Sequence, residues 1–281
     1  MFFEYWFMFF ISIIVATIAM TFGIGGAVLF SPVFIILFPL VHVTPLDPAN
    51  AFGAALLTEV AGFASGFIGY YRKKLIDFKT AKYFLMIGVP LVIVGTIIKR
   101  SINAALLTMA FAAGMLFLAS YVYRMSKNTE IDTSQGMLRS IVDAEGTVHE
   151  YLVCNQSEGG LLAGIGSLTT GMISVGIGET VVSTLRGRCN LPMGVAAGTS
   201  VFVVIIVVLS SAVVDIMIAG IDAIPWTLVM FTIPGVLIGG QIGSHTSSKV
   251  SEHTAEKFLI GLFTTLSVVM GYIGLTKLGV F

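Results

Sequence analysis

Two acidic residues, Glu59 and Glu179, lie within apolar stretches that are long enough to enter a membrane. A carboxylate buried in a bilayer is costly when it is ionised and unpaired, so it tends to hold a proton or to find a partner. Either residue could carry a proton that accompanies an anion, because protonation removes the repulsion between the carboxylate and the anion. The alternatives are structural pairing for Glu59 and capping of its own half-helix for Glu179.

The tripeptide Gly-Ile-Gly interrupts two apolar stretches, at residues 23–25 and at residues 176–178. Inside a bilayer every backbone N–H and C=O needs a partner, so a break is tolerated only where it is enclosed by protein or lines a watered cavity. Each break also creates a new helix N-terminus, whose unpaired N–H groups attract anions. We therefore expect a substrate anion at Gly25, Gly26 and Gly178, with helix packing through small residues as the alternative.

Other polar residues lie beside these breaks or follow the interrupted stretches. Glu179 directly follows the second Gly-Ile-Gly and is counted among the substrate-binding residues as well. Asn50 and the pair Thr199–Ser200 come near the starts of the next apolar segments, where they bind oxyanion oxygens or act as helix N-caps. Arg186 and Arg188 either gather anions at the entrance or follow the rule that basic loops stay in the cytoplasm.

The composition places the chain in a membrane. Of its 281 residues, 56% are hydrophobic and 11% are charged, whereas soluble domains carry roughly 25% charged residues. The formal net charge is 0, so the charge does not favour a nucleic-acid partner. The first apolar segment has no basic residues before it and no cleavage-like site after it, so we interpret it as a retained membrane segment.

The lengths of the apolar segments predict an all-α polytopic membrane protein. A helix needs about 20 apolar residues to span a bilayer, and the segments that meet this length are 49–71, 78–98, 103–123, 194–219, 224–245 and 256–276. The interrupted stretches 3–41 and 159–190 are too long for one span, and their halves have lengths typical of re-entrant segments. Asp215 and Asp222 flank the outer end of one span and are expected at the membrane interface.

Residues 124–158 form the only long polar stretch, and they contain two β-favouring runs, LRSIV and TVHEYLVC. The runs are separated by Asp143-Ala144-Glu145-Gly146, which predicts a β-hairpin with a positive φ at Gly146. We expect this insert to be structural. The two cysteines and four histidines fit no disulfide framework or metal motif, so no cofactor and no metal are expected.

The two halves of the chain resemble each other. Gly23-Ile24-Gly25 matches Gly176-Ile177-Gly178, Gly53 matches Gly198, and the segment GVPLVIVGT at 88–96 matches TIPGVLIGG at 232–240. Such a duplication is typical of transporters. We predict a first membrane repeat at 1–123, a polar cytoplasmic insert at 124–158 and a second membrane repeat at 159–281.

The distribution of the basic residues distinguishes between two membrane topologies. If each interrupted stretch crosses the membrane, 9 basic residues lie inside and 6 outside; if each folds back as a hairpin, 12 lie inside and 3 outside. Cytoplasmic loops carry an excess of Lys and Arg, so the count favours hairpins. Each repeat then has a re-entrant hairpin and three spans, the two copies are inverted, and the hairpin tips meet near the midplane.

The segments GIGGAVLFSPVF, PANAFGAALL with GFASGFIGYYRKKLIDFK, and GIGETVVSTLRG with GVAAGTSVFV resemble the TauE/SafE-type sulfite-exporter family over nearly the whole chain. The resemblance implies a multi-pass plasma-membrane permease that exports small anions such as sulfite, sulfonates or sulfoacetate. Ala54-Ala55 stand where the second copy has the family-like Thr199-Ser200, so hydroxyl ligands are expected from one copy only. A homodimer is compatible with a permease of this size.

Two other function classes stay open. A channel or a structural membrane protein would fit the hairpins without requiring Glu59. An intramembrane enzyme is the weaker alternative, because Ser65 in GFASG lacks the spacing of a GxSG serine site. No histidine lies at membrane depth to act as its base.

Overall fold

The computed structural model describes residues 4–22, 24–127, 137–153, 156–187, 191–246 and 252–279, which are mostly helical. Six of the helices described are long and apolar enough to cross a membrane. They are α4 (Pro48–Arg72), α5 (Phe78–Ser101), α6 (Ala104–Lys127), α9 (Met193–Ala219), α10 (Trp226–Thr246) and α11 (Glu252–Lys277). The predicted all-α polytopic membrane fold is confirmed, with each span within a few residues of its predicted bounds.

The interrupted stretches form shorter helices on either side of each break. The first contains α1 (Phe7–Phe22), α2 (Gly26–Pro32), a π-helical segment (Val33–Leu37) and α3 (Phe38–Leu40). The second contains α7 (Gln156–Ile173) and α8 (Ile177–Gly187). A short 3₁₀ helix (Ile221–Ala223) connects α9 to α10.

Each interrupted stretch folds back on itself. The ring of Tyr5, before α1, lies 5.4 Å from that of Phe38, at the start of α3. In the second stretch, a Cβ on Gly159, near the start of α7, would lie 3.2 Å from the Thr184 side chain, near the end of α8. The end of each interrupted stretch therefore lies close to its beginning.

The helix packing has the same pattern when the two copies are exchanged. Helix α1 packs on α10 as α7 packs on α5, and α4 packs on α10 as α9 packs on α5. Helix α4 also packs on α9, and α6 on α11. The opposed orientation of the two copies in the membrane and the division of the chain at residues 124 and 158 stay predictions.

Glycine lets the first arm of each hairpin lie against a spanning helix with backbone touching backbone. A Cβ on Gly239 of α10 would meet the carbonyl oxygen of Ile13 in α1. A Cβ on Gly95 of α5 would meet the carbonyl oxygen of Leu168 in α7. Small residues permit this close approach in membranes, where van der Waals packing drives helix association. The arms that carry the two tips are thus fixed against the spanning helices.

The polar insert forms the predicted β-hairpin. Strand β1 (Met137–Val142) pairs antiparallel with β2 (Val148–Val153), and Gly146 in the turn has φ +85°. The backbone N–H of Ala144 donates to the carbonyl oxygen of Lys73 at 3.1 Å. The turn of the hairpin therefore contacts the connection between α4 and α5.

Asp77 joins this hairpin to the helices. Its Oδ1 accepts hydrogen bonds from the backbone N–H groups of Lys79 and Thr80 at 3.0 and 3.1 Å, which caps α5. Its Oδ2 accepts from the Tyr151 hydroxyl at 2.9 Å and pairs with Arg139 at 3.3 Å. Burial alone would raise the pKa of Asp77, but the hydrogen bonds from Thr80 and Tyr151 and the charge of Arg139 hold the pKa below its ordinary value.

We expect Asp77→Ala to lower the free energy of unfolding by about 2–4 kcal/mol, because a helix cap and two charge-assisted contacts are lost. The folded-state pKa is depressed, so the contribution of Asp77 is present above the unfolded pKa and disappears as the pH falls through the folded one. The wild-type free energy of unfolding should therefore decrease as the pH falls below about 4. In the variant, the free energy of unfolding should depend less on pH in this range. Thermal unfolding of detergent-purified protein against pH measures both effects.

The exposed carboxylate Asp222, in the 3₁₀ helix, is the matched control. Asp222→Ala should leave the unfolding temperature and its pH profile near those of the wild type. Equal losses in the two variants would show that Asp77 does not hold the insert.

Candidate functional site

The tips of the two hairpins lie in contact inside the protein. The backbone N–H of Gly25, in the first tip, donates to Oε1 of Glu179, in the second, at 2.9 Å. A Cβ on Gly178 would lie 3.7 Å from the same nitrogen. Gly25, Gly178 and Glu179 are all buried. The tips from the two halves of the chain thus form one enclosed site, which we call the tip site.

The second tip is shaped by residues with left-handed backbone conformations. Ser174 has φ +62° and Gly176 has φ +136°, a region that glycine enters readily. The backbone N–H of Gly176 donates to Oε2 of Glu179 at 3.2 Å, and that of Ile177 donates to the Thr170 hydroxyl at 2.8 Å. Glu179 therefore caps its own half-helix in the manner of a capping box.

Besides capping its own helix, Glu179 contacts the opposite tip. One of its carboxylate oxygens faces the amide of its own tip, and the other faces the amide of Gly25 in the opposite tip. Capping and a place within the tip site, weighed as alternatives from the sequence, are both features of the geometry. A single carboxylate therefore connects the two hairpins.

Glu59 approaches the first tip from the side. It lies in the middle of α4 with 4% of its surface exposed, and its carboxylate interacts with the backbone N–H groups of Gly26 and Ala27 at the start of α2. A Cβ on Gly25 would lie 2.8 Å from Oε1 of Glu59 and 3.3 Å from Oε1 of Glu179. The absence of a side chain at Gly25 leaves room for both carboxylates.

The conformation of Gly25 does not itself require glycine. Its φ of −60° and ψ of 129° are available to any residue. Space is thus the reason for glycine here, which is a different reason from the positive φ at Gly176.

The two copies supply their carboxylates from different positions. In the match between the halves, Gly26 corresponds to Glu179, and Glu59 corresponds to Val204. The side chain of Val204 lies 3.5 Å from where a Cβ on Gly178 would be, so it stands beside the second tip as Glu59 stands beside the first. Each tip thus has one carboxylate beside it, and the two carboxylates come from positions that do not correspond in the match between the halves. A comparison of aligned positions would have revealed this from the sequence.

A narrow crevice between α1, α2, α4 and α10 reaches Glu59. Apolar and small side chains form most of its wall, with Thr58 and Glu59 as the polar contributors; the lining residues are Ala16, Ala19, Met20, Gly26, Phe30, Thr58, Glu59, Gly62, Phe63 and Val236. Gly26 of the first tip and Glu59 therefore both border this crevice.

The structure brings some of the predicted substrate-binding residues to the tips and leaves others elsewhere. The Ser200 hydroxyl donates to the carbonyl oxygen of Gly178 at 3.4 Å, which places Ser200 beside the second tip. The Thr199 hydroxyl instead accepts the backbone N–H of Asp77 at 2.9 Å, and Asn50 Oδ1 accepts from Arg100 at 2.7 Å. Asn50 and Thr199 thus form hydrogen bonds outside the tip site.

The predicted entrance residues differ in what the structure describes of them. Arg186 lies half-buried in the last turn of α8, at the far end of that helix from the tip. Arg188 lies outside the described residues. The entrance role stays a prediction for both.

Asp215, which the sequence places at the membrane interface, is buried in the structure. It pairs with Lys99 at 2.9 Å and with Arg100 at 2.8 Å. Hydropathy places Asp215 only near the end of an apolar segment and contains no information on the two cations of another helix. Within the described parts of the chain, no group of three or more His, Cys, Asp or Glu side chains could hold a metal ion.

Comparisons with known proteins agree with this architecture. The family model of the sulfite exporter TauE/SafE matches residues 8–270. The chain is similar to the probable membrane transporter protein YunE of Bacillus subtilis (strain 168), with 22% identity over 246 residues, which cover 87% of this chain and 89% of that protein. No solved structure matches the chain.

Proposed function

Because the chain belongs to the sulfite exporter TauE/SafE family of membrane transporters, we propose that it is a permease that exports small sulfur-containing or organic oxyanions across the plasma membrane. The observation that carries the proposal is the tip site. Backbone N–H groups from both halves converge there on carboxylates, and a substrate oxyanion offers the same kind of acceptor oxygen.

In this mechanism the substrate anion and the carboxylates compete for the same N–H donors. When Glu59 or Glu179 takes up a proton, its repulsion of an incoming anion disappears and its oxygens become weaker acceptors. The amides of Gly25 and Gly26 then become available to the anion. Anion and proton thus bind together, and the site returns to its carboxylate-filled form when both leave.

The charge on the loaded site favours export. A dianion that travels with one proton still carries one negative charge, and an inside-negative potential drives that charge outward with about 2.3 kcal/mol per 100 mV. The excess of basic residues in the predicted cytoplasmic loops supports an insert that lies in the cytoplasm.

The contact between the tips supports a carrier over a channel. A channel needs a continuous polar path, whereas Gly25, Gly178 and Glu179 are buried against one another. Access to such a site requires the surrounding helices to open on one side at a time.

Flux measurements in liposomes test the proposal. Purified protein should move sulfite, a sulfonate or sulfoacetate with saturable kinetics, and lowering the pH on the side that contains the anion should accelerate the flux. Protein-free liposomes give the background. Flux that rises without saturation, together with electrical conductance, would identify a channel, and no flux of any oxyanion in the panel would refute the proposal.

A further inference from the structure

A second group of charged side chains lies away from the tips, between α4, α5 and α9, with Lys99 and Asp215 buried and Arg100 partly exposed. Lys99 Nζ lies 2.9 Å from Oδ2 of Asp215, and Arg100 donates to both oxygens of Asp215 at 2.8 and 2.9 Å. Arg100 also donates to Oδ1 of Asn50 at 2.7 Å. We call Asn50, Lys99, Arg100 and Asp215 the cation cluster.

The cation cluster contains more positive than negative charge. Lys99 and Arg100 provide two cations, and within the described residues Asp215 is the one carboxylate that pairs with them. Lys99 is fully buried, and its ammonium group makes no well-formed hydrogen bond to another described residue besides the ion contact with Asp215. A buried cation without its full set of acceptors is unfavourable, and a second anion would remove this cost.

The geometry of the cation cluster suits an oxyanion. Arg100 donates one N–H group to each oxygen of Asp215, a bidentate arrangement. The same arrangement recognises other groups that carry two adjacent negative oxygens. A Cβ on Gly53 would meet Oδ2 of Asp215 and would lie 3.7 Å from Lys99 Nζ. Glycine at this position therefore leaves room for the Asp215 carboxylate beside Lys99.

One face of α9 connects the cation cluster to the tip site. Val204, beside the second tip, and Asp215 are 11 residues apart, which is close to three full turns, or about 16 Å along the helix. Between them Ser211 forms a hydrogen bond with Thr96 of α5 at 2.7 Å. The same face of α9 therefore borders the tip site at one position and the cation cluster at another.

The cation cluster exists in one copy only. In the match between the halves, Tyr70 corresponds to Asp215, and Gly243 and Ser244 correspond to Lys99 and Arg100. A Cβ on Gly198, the counterpart of Gly53, would lie 3.1 Å from the ring of Tyr70. The positions that correspond to the charged residues of the cation cluster are thus an aromatic residue and two small residues.

We propose that Lys99 and Arg100 form a second oxyanion subsite, at the end of α5 remote from the basic Arg72–Lys74 connection, and that Asp215 occupies this subsite as a built-in anion. A substrate oxyanion that leaves the tip site displaces Asp215 from the two cations, which breaks the ion pairs that join α5 to α9 at this end and lets the oxyanion leave. The role in exit rests on the proposed function, whereas binding at the subsite does not.

Binding of sulfate and sulfite to purified protein tests the subsite, with the rise in unfolding temperature against anion concentration as the measurement. Asp215→Asn removes the competing charge and should tighten the apparent affinity about tenfold. Lys99→Met and Arg100→Gln remove a cation and should each weaken the affinity about tenfold or more. Asp222→Asn, which removes an exposed carboxylate of the neighbouring 3₁₀ helix, is the matched control and should bind like the wild type.

Unchanged or weaker binding by Asp215→Asn would overturn the subsite. If Asp215→Asn does not fold, the two cation variants decide, and full anion-dependent stabilisation in both would overturn it. Repeating the series with Gly25→Val, which blocks the tip site, separates the two proposals. Loss of transport by Gly25→Val together with retained anion binding leaves the subsite standing. Normal transport by the wild type, together with anion binding that is unchanged in Asp215→Asn, Lys99→Met and Arg100→Gln, refutes the subsite alone.

Discussion

Transport by the Gly25→Val variant should fall to the background of protein-free liposomes, while the protein still inserts in the membrane. A Cβ at this position would already lie 2.8 Å from Oε1 of Glu59 and 3.3 Å from Oε1 of Glu179, and valine adds two methyl groups. The side chain would push both carboxylates from the amides and fill the space that an anion needs. Flux of a radiolabelled or fluorescently detected oxyanion into liposomes, normalised to inserted protein, measures the loss.

Alanine at the two tips provides a matched comparison. Gly25→Ala should lower transport about tenfold or more, because a charge-assisted hydrogen bond worth about 1.5–3 kcal/mol is disturbed. Gly178→Ala should transport normally, since its Cβ makes only ordinary contacts of 3.5 Å with Val204 and 3.7 Å with the Gly25 nitrogen. The larger Gly178→Val is expected to abolish transport. Equal effects of the two alanine variants would contradict the placement of the substrate beside Gly25.

Glu59→Gln should weaken the dependence of anion flux on a pH gradient. Glutamine keeps the shape of the side chain but cannot take up or release a proton, so of the two carboxylates only Glu179 can still accompany the anion with a proton. Wild-type flux should rise as the pH falls on the side that contains the anion, and flux through the variant should rise less. The measurement compares initial rates in liposomes across a series of imposed gradients.

The exposed Glu150 of β2 gives the control for this substitution. Glu150→Gln should retain the wild-type profile. An unaltered pH profile in Glu59→Gln would rule out a coupling role for Glu59. Glu179→Gln should change the profile and also lower the unfolding temperature, because Glu179 accepts hydrogen bonds from both tips.

Features that depend on local sequence could be predicted. The spans follow from the length of apolar segments, the breaks follow from Gly-Ile-Gly, and the turn of the β-hairpin follows from Gly146 with its φ of +85°. Each of these signals lies within a single segment, so no knowledge of its neighbours was needed.

The partners of polar side chains could not be predicted in the same way. Asn50 and Thr199 stand near helix starts, where their sequence context fits a ligand or a cap, but Arg100 and Asp77 engage them across the fold. Asp215 lies near the end of its apolar segment, and hydropathy does not reveal that Lys99 faces it from another helix. Such pairings depend on which helices pack together, and this information is not local.

The tip site combines both cases. The sequence predicted that N–H groups of two hairpin tips face an anion, and the structure brings Gly25 and Glu179 together. The sequence did not predict that Glu59 and Glu179 take the place expected for the substrate. This required knowing that the middle of α4 passes beside the first tip.

The exchange of carboxylate positions between the copies has a consequence for the ancestry of the protein. Two first halves assembled with each other would contribute Glu59 twice and no Glu179, and two second halves would contribute Glu179 twice beside two valines. Neither pair reproduces one acidic group of each kind. The halves have become complementary and are no longer interchangeable, so a split version of the gene should support activity only when both different fragments are produced in the same cell.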